Sequence, residues 1–237
     1  MDAVGVVLAA GLGTRVGADG NKAYLPLAGR SMMTWSLDTL SRMPEVARTI
    51  LVFRRGESDL VHDVVRRELG HAAVEFVEGG NTRHGSETNV VRYLADDIDS
   101  GDVDVVAIHD AARPLADAAM FREAIELARR FGGALPALPV GNLAALVGDR
   151  LTPVHGRSSL VRVQTPQAFR GRDLLHAYRR AEHDGFEGTD TSSCVERYTE
   201  VQVRTFTGRS TNLKVTYARD VAVAQRLLND QRRAGPR

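Results

Sequence analysis

Glycines at positions 11, 13, 17 and 20 surround Arg15 and lead into Lys22, in a run that begins Leu8-Ala9-Ala10-Gly11-Leu12-Gly13-Thr14-Arg15. Glycine lets backbone N–H groups turn toward an anion, and a guanidinium and an ammonium beside such a turn add full positive charges. The chemistry that suits this spacing is the cradling of a phosphate chain, although a tight strand-to-helix turn packed for its own sake uses the same residues. Two other phosphate motifs fail on inspection. A Walker loop requires Gly-Lys followed by Ser or Thr, whereas Lys22 follows Asn21 and precedes Ala23. A dinucleotide-binding loop requires Gly-x-Gly-x-x-Gly, but here the third glycine falls at Gly17, and the second predicted strand runs into Arg54-Arg55 instead of an acid. A short-chain NADP reductase would need Tyr-x-x-x-Lys, and neither lysine stands at that distance from a tyrosine.

Two more clusters carry chemistry. Gly79-Gly80-Asn81-Thr82-Arg83-His84-Gly85-Ser86 combines close-approach glycines with short polar side chains at a predicted helix start, which suits the reading of a base edge and equally suits a capped loop. His109-Asp110-Ala111-Ala112-Arg113-Pro114 follows an apolar run. Asp110 is of the type that holds a divalent cation and Arg113 of the type that grips a phosphate, with a plain Asp-Arg ion pair as the alternative. Of thirty-one basic residues only Lys22 and Lys214 are lysines. An ammonium among phosphate oxygens is not interchangeable with a planar guanidinium, so both lysines become candidates for a phosphate site.

These residues need a scaffold that brings them together. Apolar runs predict strands at 5–8, 49–53, 73–77, 103–109, 133–140 and 200–206. Helical stripes lie between them: Leu60, Val61, Val64, Val65 and Leu69 form one, and Phe121, Ala124, Ile125 and Ala128 another. Strands alternating with helices predict an α/β fold, a doubly wound, mostly parallel Rossmann-like sheet whose ligands sit beyond the carboxyl ends of the strands. Residues 139–157 interrupt the alternation, because runs at 143–147 and 151–154 flank a Gly148-Asp149 turn. They predict a β-hairpin arm, either an excursion on the sheet edge or an element that grips a second subunit. The polar tail at 230–237 is expected to fray.

Composition narrows the function classes. A chain of 237 residues with 43% hydrophobic content fits a single domain spanning 1–237. Thirty-one basic residues balance thirty acidic ones without a basic tract, which argues against a nucleic-acid partner. No apolar stretch approaches the roughly 20 residues that span a bilayer, and the opening apolar run lacks the basic start of a signal peptide. A lone cysteine, Cys194, excludes an internal disulfide and fits a reducing, cytoplasmic setting.

Taken in order, Leu-Ala-Ala-Gly-x-Gly-x-Arg, Lys22, Gly-Gly-x-x-Arg at 79–83, His-Asp-Ala-Ala-Arg-Pro at 109–114, Thr165-Pro166-Gln167, Thr189-Asp190 and Asn212-Leu213-Lys214-Val215-Thr216 resemble the 2-C-methyl-D-erythritol 4-phosphate cytidylyltransferase family over essentially the whole chain. The resemblance implies a CTP-dependent transfer of a cytidylyl group to a sugar phosphate in isoprenoid precursor synthesis, with release of pyrophosphate and Mg²⁺ or another divalent cation as cofactor. It implies that Gly11 to Arg15, Gly13 among them, and Lys22 wrap the triphosphate, that Gly80, Arg83 and Ser86 surround the cytosine and ribose, and that Ala10 and Asp110 are also nucleotide-binding. Lys214 would reach the α-phosphate with Arg15 and Lys22 as the catalytic cations, and Asp110 would hold the metal. Arg113, Arg157, Thr165 and Thr189 would surround the acceptor, with Arg157 acting across a homodimer interface built by the arm.

The chain departs from the family pattern unevenly. Asp-Thr is usual after the Pro-Val at the base of the arm, whereas Asn142 and Leu143 follow Pro139-Val140-Gly141 here. A leucine has no group to offer a phosphate or hydroxyl. Leu8 stands for the usual proline, and Asn81 stands where an acid is often found. The triphosphate half is thus intact and the acceptor half altered. That leaves open methylerythritol phosphate, another polyol phosphate such as ribitol 5-phosphate, a paralogue of weak activity, and a CTP-binding regulator.

Overall fold

The computed structural model describes residues 2–11, 13, 20–141, 144–153 and 160–234. Arg15, Arg157, Asn142 and Leu143, and with them the altered acceptor position, lie outside the described residues. The first half of the chain runs β1 (Asp2–Leu8), β2 (Pro26–Leu27), β3 (Arg30–Ser31), α1 (Met32–Ser41), β4 (Val46–Phe53), α2 (Ser58–Leu69), β5 (Val74–Glu78), α3 (Arg83–Tyr93), α4 (Ala95–Ser100), β6 (Val103–Asp110) and α5 (Ala118–Phe131). The second half adds β7 (Gly133–Pro139), β8 (Ala144–Val147), β9 (Arg150–Pro153), β10 (Val161–Val163), β11 (Gln167–Arg170), α6 (Gly171–Asp184), α7 (Thr191–Tyr198), β12 (Arg204–Thr207) and α8 (Ala218–Ala234).

The central sheet runs β10-β7-β11-β6-β1-β4-β5, with β12 beside β7. Strands β6, β1, β4 and β5 pair in parallel, and β12 is parallel to β7. The mostly parallel sheet predicted from the sequence is therefore present. It carries an unpredicted antiparallel insertion: β11 lies between β6 and β7, and β10 continues along β7. Strands of three and four residues are too short for a side-chain period to announce them.

Alternating side chains of the sheet supply two apolar layers. Val4, Val6, Ile50, Val52 and Ile108 pack with α3, α4, α6 and α7 through Val90, Ile98, Leu174, Tyr178 and Cys194. On the opposite face Val7, Leu51 and Phe53 meet α1 and α2 through Met33, Leu37, Val61 and Val64, while Ala3, Val105 and Ala107 meet α5. Burial on both faces explains why these strands read as unbroken apolar runs. The α5 stripe Phe121, Ala124, Ile125 and Ala128 is buried as expected. Leu60 departs from the α2 stripe at 49% exposure, because it lies about 100° around the helix from Val61, at the margin of the buried face.

The hairpin is present as β8 and β9, paired antiparallel from Ala144 opposite Pro153 to Val147 opposite Arg150 and separate from the main sheet. Among the described residues no helix is long and apolar enough to cross a membrane.

Candidate active site

Three backbone hydrogen bonds extend the parallel ladder past the strand ends and fix the wall of a cavity. Ala9 N–H donates to Val52 O at 2.8 Å, Gly79 N–H to Phe53 O at 2.8 Å, and Ala111 N–H to Leu8 O at 3.0 Å. Beyond the carboxyl ends of β1, β5 and β6 lies a cavity of about 240 Å³ bounded by Ala10, Gly11, Lys22, Gly80, Arg83, Ser86, Asp110 and Lys214, among others. Residues from four separate motifs thus share one space, on the sheet edge where doubly wound folds bind ligands.

The glycine loop and Lys22 are fitted to each other. Gly13 has φ 64°, and a side chain there would meet Cβ and Cγ of Lys22 at 2.7 Å, so only glycine leaves room for the lysine stem. The Lys22 ammonium donates to Val215 O at 3.1 Å. Its neighbour Asn21, whose residue type carries no phosphate signal, ties this corner together. The Asn21 amide donates to Ala9 O at 2.7 Å and to Glu57 Oε2 at 2.9 Å, and its Oδ1 accepts Ala23 N–H at 3.0 Å.

Opposite it, Thr82 caps α3 by accepting Gly85 N–H at 3.0 Å, which settles the capping alternative for this loop without removing it from the cavity. Ser86 Oγ accepts Gly80 N–H at 3.1 Å and donates to Thr82 O at 2.9 Å. A Cβ on Gly80 would lie 2.7 Å from the Gly85 backbone, so this turn too depends on the missing side chain.

Asp110 is the electrostatic centre. Lys214 Nζ donates to its Oδ2 at 2.7 Å and Arg83 Nε to its Oδ1 at 3.4 Å. Burial pushes this carboxyl toward its neutral form, but Arg83, Lys214 and Arg113 prevail and hold it well below the usual carboxylate range. Its backbone N–H donates to Thr165 Oγ1 at 3.1 Å. The same hydroxyl donates to Nδ1 of His109 at 3.0 Å, while the His109 Nε2–H donates to Arg113 O at 3.0 Å. Burial drives the His109 pKa down to about 4, so the imidazole is neutral and this tautomer satisfies both nitrogens.

The Lys214 segment docks onto the same corner. Val215 N–H donates to Ala112 O at 2.8 Å, and fully buried Asn212 donates from Nδ2 to Thr165 O at 2.9 Å. Gln164, which carried no sequence signal, bonds Asn212 O through Nε2 at 3.1 Å and accepts Arg209 N–H at 3.1 Å.

Among the residues expected at the acceptor, Arg113 and Thr165 stand behind the cavity wall and are 8% and 4% exposed. Arg113 donates from Nη1 to Asn212 O at 2.8 Å and from Nη2 to Val163 O at 3.5 Å, and its buried Nε has no partner among the described residues. Thr189 is exposed and precedes Asp190, whose side chain caps α7 by accepting Ser193 N–H at 3.0 Å.

Among the described residues no three acidic, histidine or cysteine side chains cluster as an all-protein metal cage. Among the described residues one ionised carboxylate, Asp110, lies on the cavity wall, which fits the mode in which Mg²⁺ is shared between one or two carboxylates and the phosphates of a bound nucleotide.

Comparisons with known proteins agree with this geometry. The model of a family described as 2-C-methyl-D-erythritol 4-phosphate cytidylyltransferase matches residues 3–230. A relative of that name from Solibacter usitatus is 33% identical over 241 residues, covering 96% of both chains. Another from Cereibacter sphaeroides is 36% identical over 229 residues, covering 96% of this chain and 97% of its own. The crystal structure of 2-C-methyl-D-erythritol 4-phosphate cytidylyltransferase from Thermus thermophilus is similar with a TM-score of 0.72 at 28% identity, covering 97% of this chain and 100% of that one.

Proposed function

The chain belongs to the 2-C-methyl-D-erythritol 4-phosphate cytidylyltransferase family, and we infer that it transfers the cytidylyl group of CTP to 2-C-methyl-D-erythritol 4-phosphate, releasing pyrophosphate. The observation that carries this reading is the convergence of Lys22, Arg83 and Lys214 with an ionised Asp110 on one cavity beyond the strand ends. Gly11 and Gly13, with Arg15 and Lys22, take the triphosphate. Ala10, Gly80, Arg83 and Ser86 take the cytidine.

No nucleophilic side chain is required. The acceptor phosphate oxygen attacks the α-phosphorus in line and the bond to pyrophosphate breaks, so positioning and neutralisation of charge do the catalytic work. Lys22 lies against the glycine loop, and Lys214 reaches in from the segment docked on β6, so the two ammonium groups approach the α-phosphate from different elements. Mg²⁺, bound through Asp110 and the nucleotide phosphates, would add Lewis-acid neutralisation of the same charge. Arg113 and Thr165 act on the acceptor half from behind the wall. Thr189, and Arg157 from a second copy of the chain in a homodimer joined through the arm, complete it. The reading includes a cytoplasmic setting, which a lone cysteine, the free and buried Cys194, fits.

Pyrophosphate release tests the assignment. The expected result is release with CTP and 2-C-methyl-D-erythritol 4-phosphate, abolished by EDTA and restored by Mg²⁺. Preference for UTP or GTP, or release only with ribitol 5-phosphate in the acceptor panel, would overturn it.

A further inference from the structure

Glu87 is 1% exposed, inside the apolar layer of Val90, Leu174, Tyr178 and Cys194. It sits on α3 one turn after Arg83. Its Oε1 accepts from Arg83 Nη1 at 2.5 Å and from the Thr191 hydroxyl, and its Oε2 accepts from the Tyr178 hydroxyl at 2.7 Å. Arg83 Nη1 also lies 3.4 Å from Thr191 Oγ1. Burial pushes the Glu87 carboxyl toward its neutral form while Arg83, Thr191 and Tyr178 draw it back, and this one buried group receives donors from three helices, α3, α6 and α7, one of them from a residue of the cavity wall.

Stability alone does not account for this arrangement. A buried ion pair is commonly no better for the fold than apolar side chains of the same volume, and the surrounding layer is apolar. What the carboxylate supplies is direction. Arg83 has a long side chain and a competing partner, because Asp110 lies 3.4 Å from its Nε. With Nη1 fixed by Glu87 and Nε beside Asp110, the guanidinium plane is set. Among the described residues the protein makes no hydrogen bond to Nη2, so that nitrogen is left for a ligand in the cavity. Released from Glu87, Arg83 is free to close as a fork on Asp110, the geometry that arginine and carboxylate prefer. That closure would draw Asp110 away from Lys214 and fill space that a nucleotide needs.

We propose that Glu87, held by Tyr178 and Thr191, is a positioning residue that aims Arg83 into the nucleotide cavity and keeps it from collapsing onto Asp110. The proposal rests on the reading of this cavity as the CTP site. CTP affinity measured by calorimetry tests it on the full chain, independently of acceptor identity. Glu87→Gln keeps the size and replaces one of the two acceptor oxygens with an NH2 donor, so it cannot accept from both Arg83 and Tyr178. It is expected to weaken CTP binding about 10-fold, the scale on which supporting residues act on a site. The KM for CTP rises in step, with kcat within about threefold, because Arg83 binds the nucleotide equally in the ground and transition states.

A double-mutant cycle separates aiming from folding. In an Arg83→Ala background Glu87→Gln should change CTP affinity by less than about twofold, since no guanidinium remains to aim. Should Glu87→Gln fail to fold, Tyr178→Phe, which removes only the hydroxyl on Oε2, replaces it in the same cycle with an expected loss of about threefold. Additive losses in the cycle, or wild-type affinity in Glu87→Gln where Arg83→Ala binds weakly, overturn the role of Glu87 and leave the CTP site standing. Unchanged affinity in Arg83→Ala overturns the placement of Arg83 at the nucleotide and the role of Glu87 together.

Discussion

Replacing Thr165 with valine keeps the side-chain shape and deletes one hydroxyl. That hydroxyl, on a residue 4% exposed, accepts Asp110 N–H at 3.1 Å and donates to His109 Nδ1 at 3.0 Å. The ring cannot compensate, because its other nitrogen already donates to Arg113 O at 3.0 Å and His109 is completely buried. The variant therefore strands one backbone donor and one ring acceptor. Each costs about 1–3 kcal/mol when buried without a partner. Their sum is about 2–6 kcal/mol, and partial relaxation of the Thr165 backbone puts the expected loss at about 3 kcal/mol. Urea unfolding at neutral pH measures it. Thr165→Ser, which keeps the hydroxyl and removes one buried methyl, should lose about 1 kcal/mol. Equal losses in the two variants, or less than about 1 kcal/mol in Thr165→Val, would refute the hydrogen-bond account. Threonine would then be required at this position for contact with the acceptor alone, and only the acceptor KM would move.

The two lysines give the most direct test of chemistry: Lys22→Ala and Lys214→Ala should each lower kcat about 100-fold or more in pyrophosphate release, on the scale of one lost charge-stabilising contact. Near wild-type turnover in either removes that lysine from the transition state. Acid should destabilise the fold through His109. Its pKa falls from 6.5 in the unfolded chain to about 4 in the folded one, so between those values the unfolded chain binds the extra proton. Stability is then fully present above about pH 6.5 and is lost as pH falls toward 4. The His109 contribution amounts to about 3 kcal/mol at 1.36 kcal/mol per unit. Burial lowers the His84 pKa in the same direction. Urea midpoints that stay flat from pH 7 to pH 4.5 would contradict the neutral, buried imidazole.

The parts of the site that the sequence disclosed are those whose chemistry is local. Gly13 announces itself because a positive φ and a close lysine stem both forbid a side chain. Lys22 and Lys214 stand out because lysine is otherwise absent from the chain. Asp110 is legible because a parallel strand buried on both faces ends on it, at the edge where ligands bind. Glu87 was not legible. In sequence it is one polar residue in a polar helix, and its meaning comes from Tyr178 and Thr191, 91 and 104 residues away. Arg113 shows the same limit from the other side. Its residue type suggests a phosphate grip, but Asn212 and Val163 carbonyls, from segments that only the fold brings near, take its terminal nitrogens. Strand β11 escaped because four residues with exposed Arg170 at the end make no period.

The charges around the cavity explain how a site built for a polyanion keeps its shape before the polyanion arrives. Arg83 is held by Glu87 from behind at 2.5 Å and lies 3.4 Å from Asp110, and Lys214 is paired with Asp110 in front. Without these partners the like charges would repel, and the exposed Lys214 side chain would have no fixed direction. The two pairs differ in burial, and the difference assigns them different roles. Glu87 is 1% exposed at its side chain and is bound by three donors, so the Arg83 pair persists when a ligand enters. The Lys214 side chain is 41% exposed against 11% for Asp110, so it is the ammonium end of this pair that stands open to a ligand. On the proposed reading an incoming triphosphate would draw that ammonium away, and Oδ2 of Asp110 would then be free to hold a divalent cation. On this reading the buried pair would act as fixed framework, and the pair with the exposed ammonium would be the contact that the substrate rearranges.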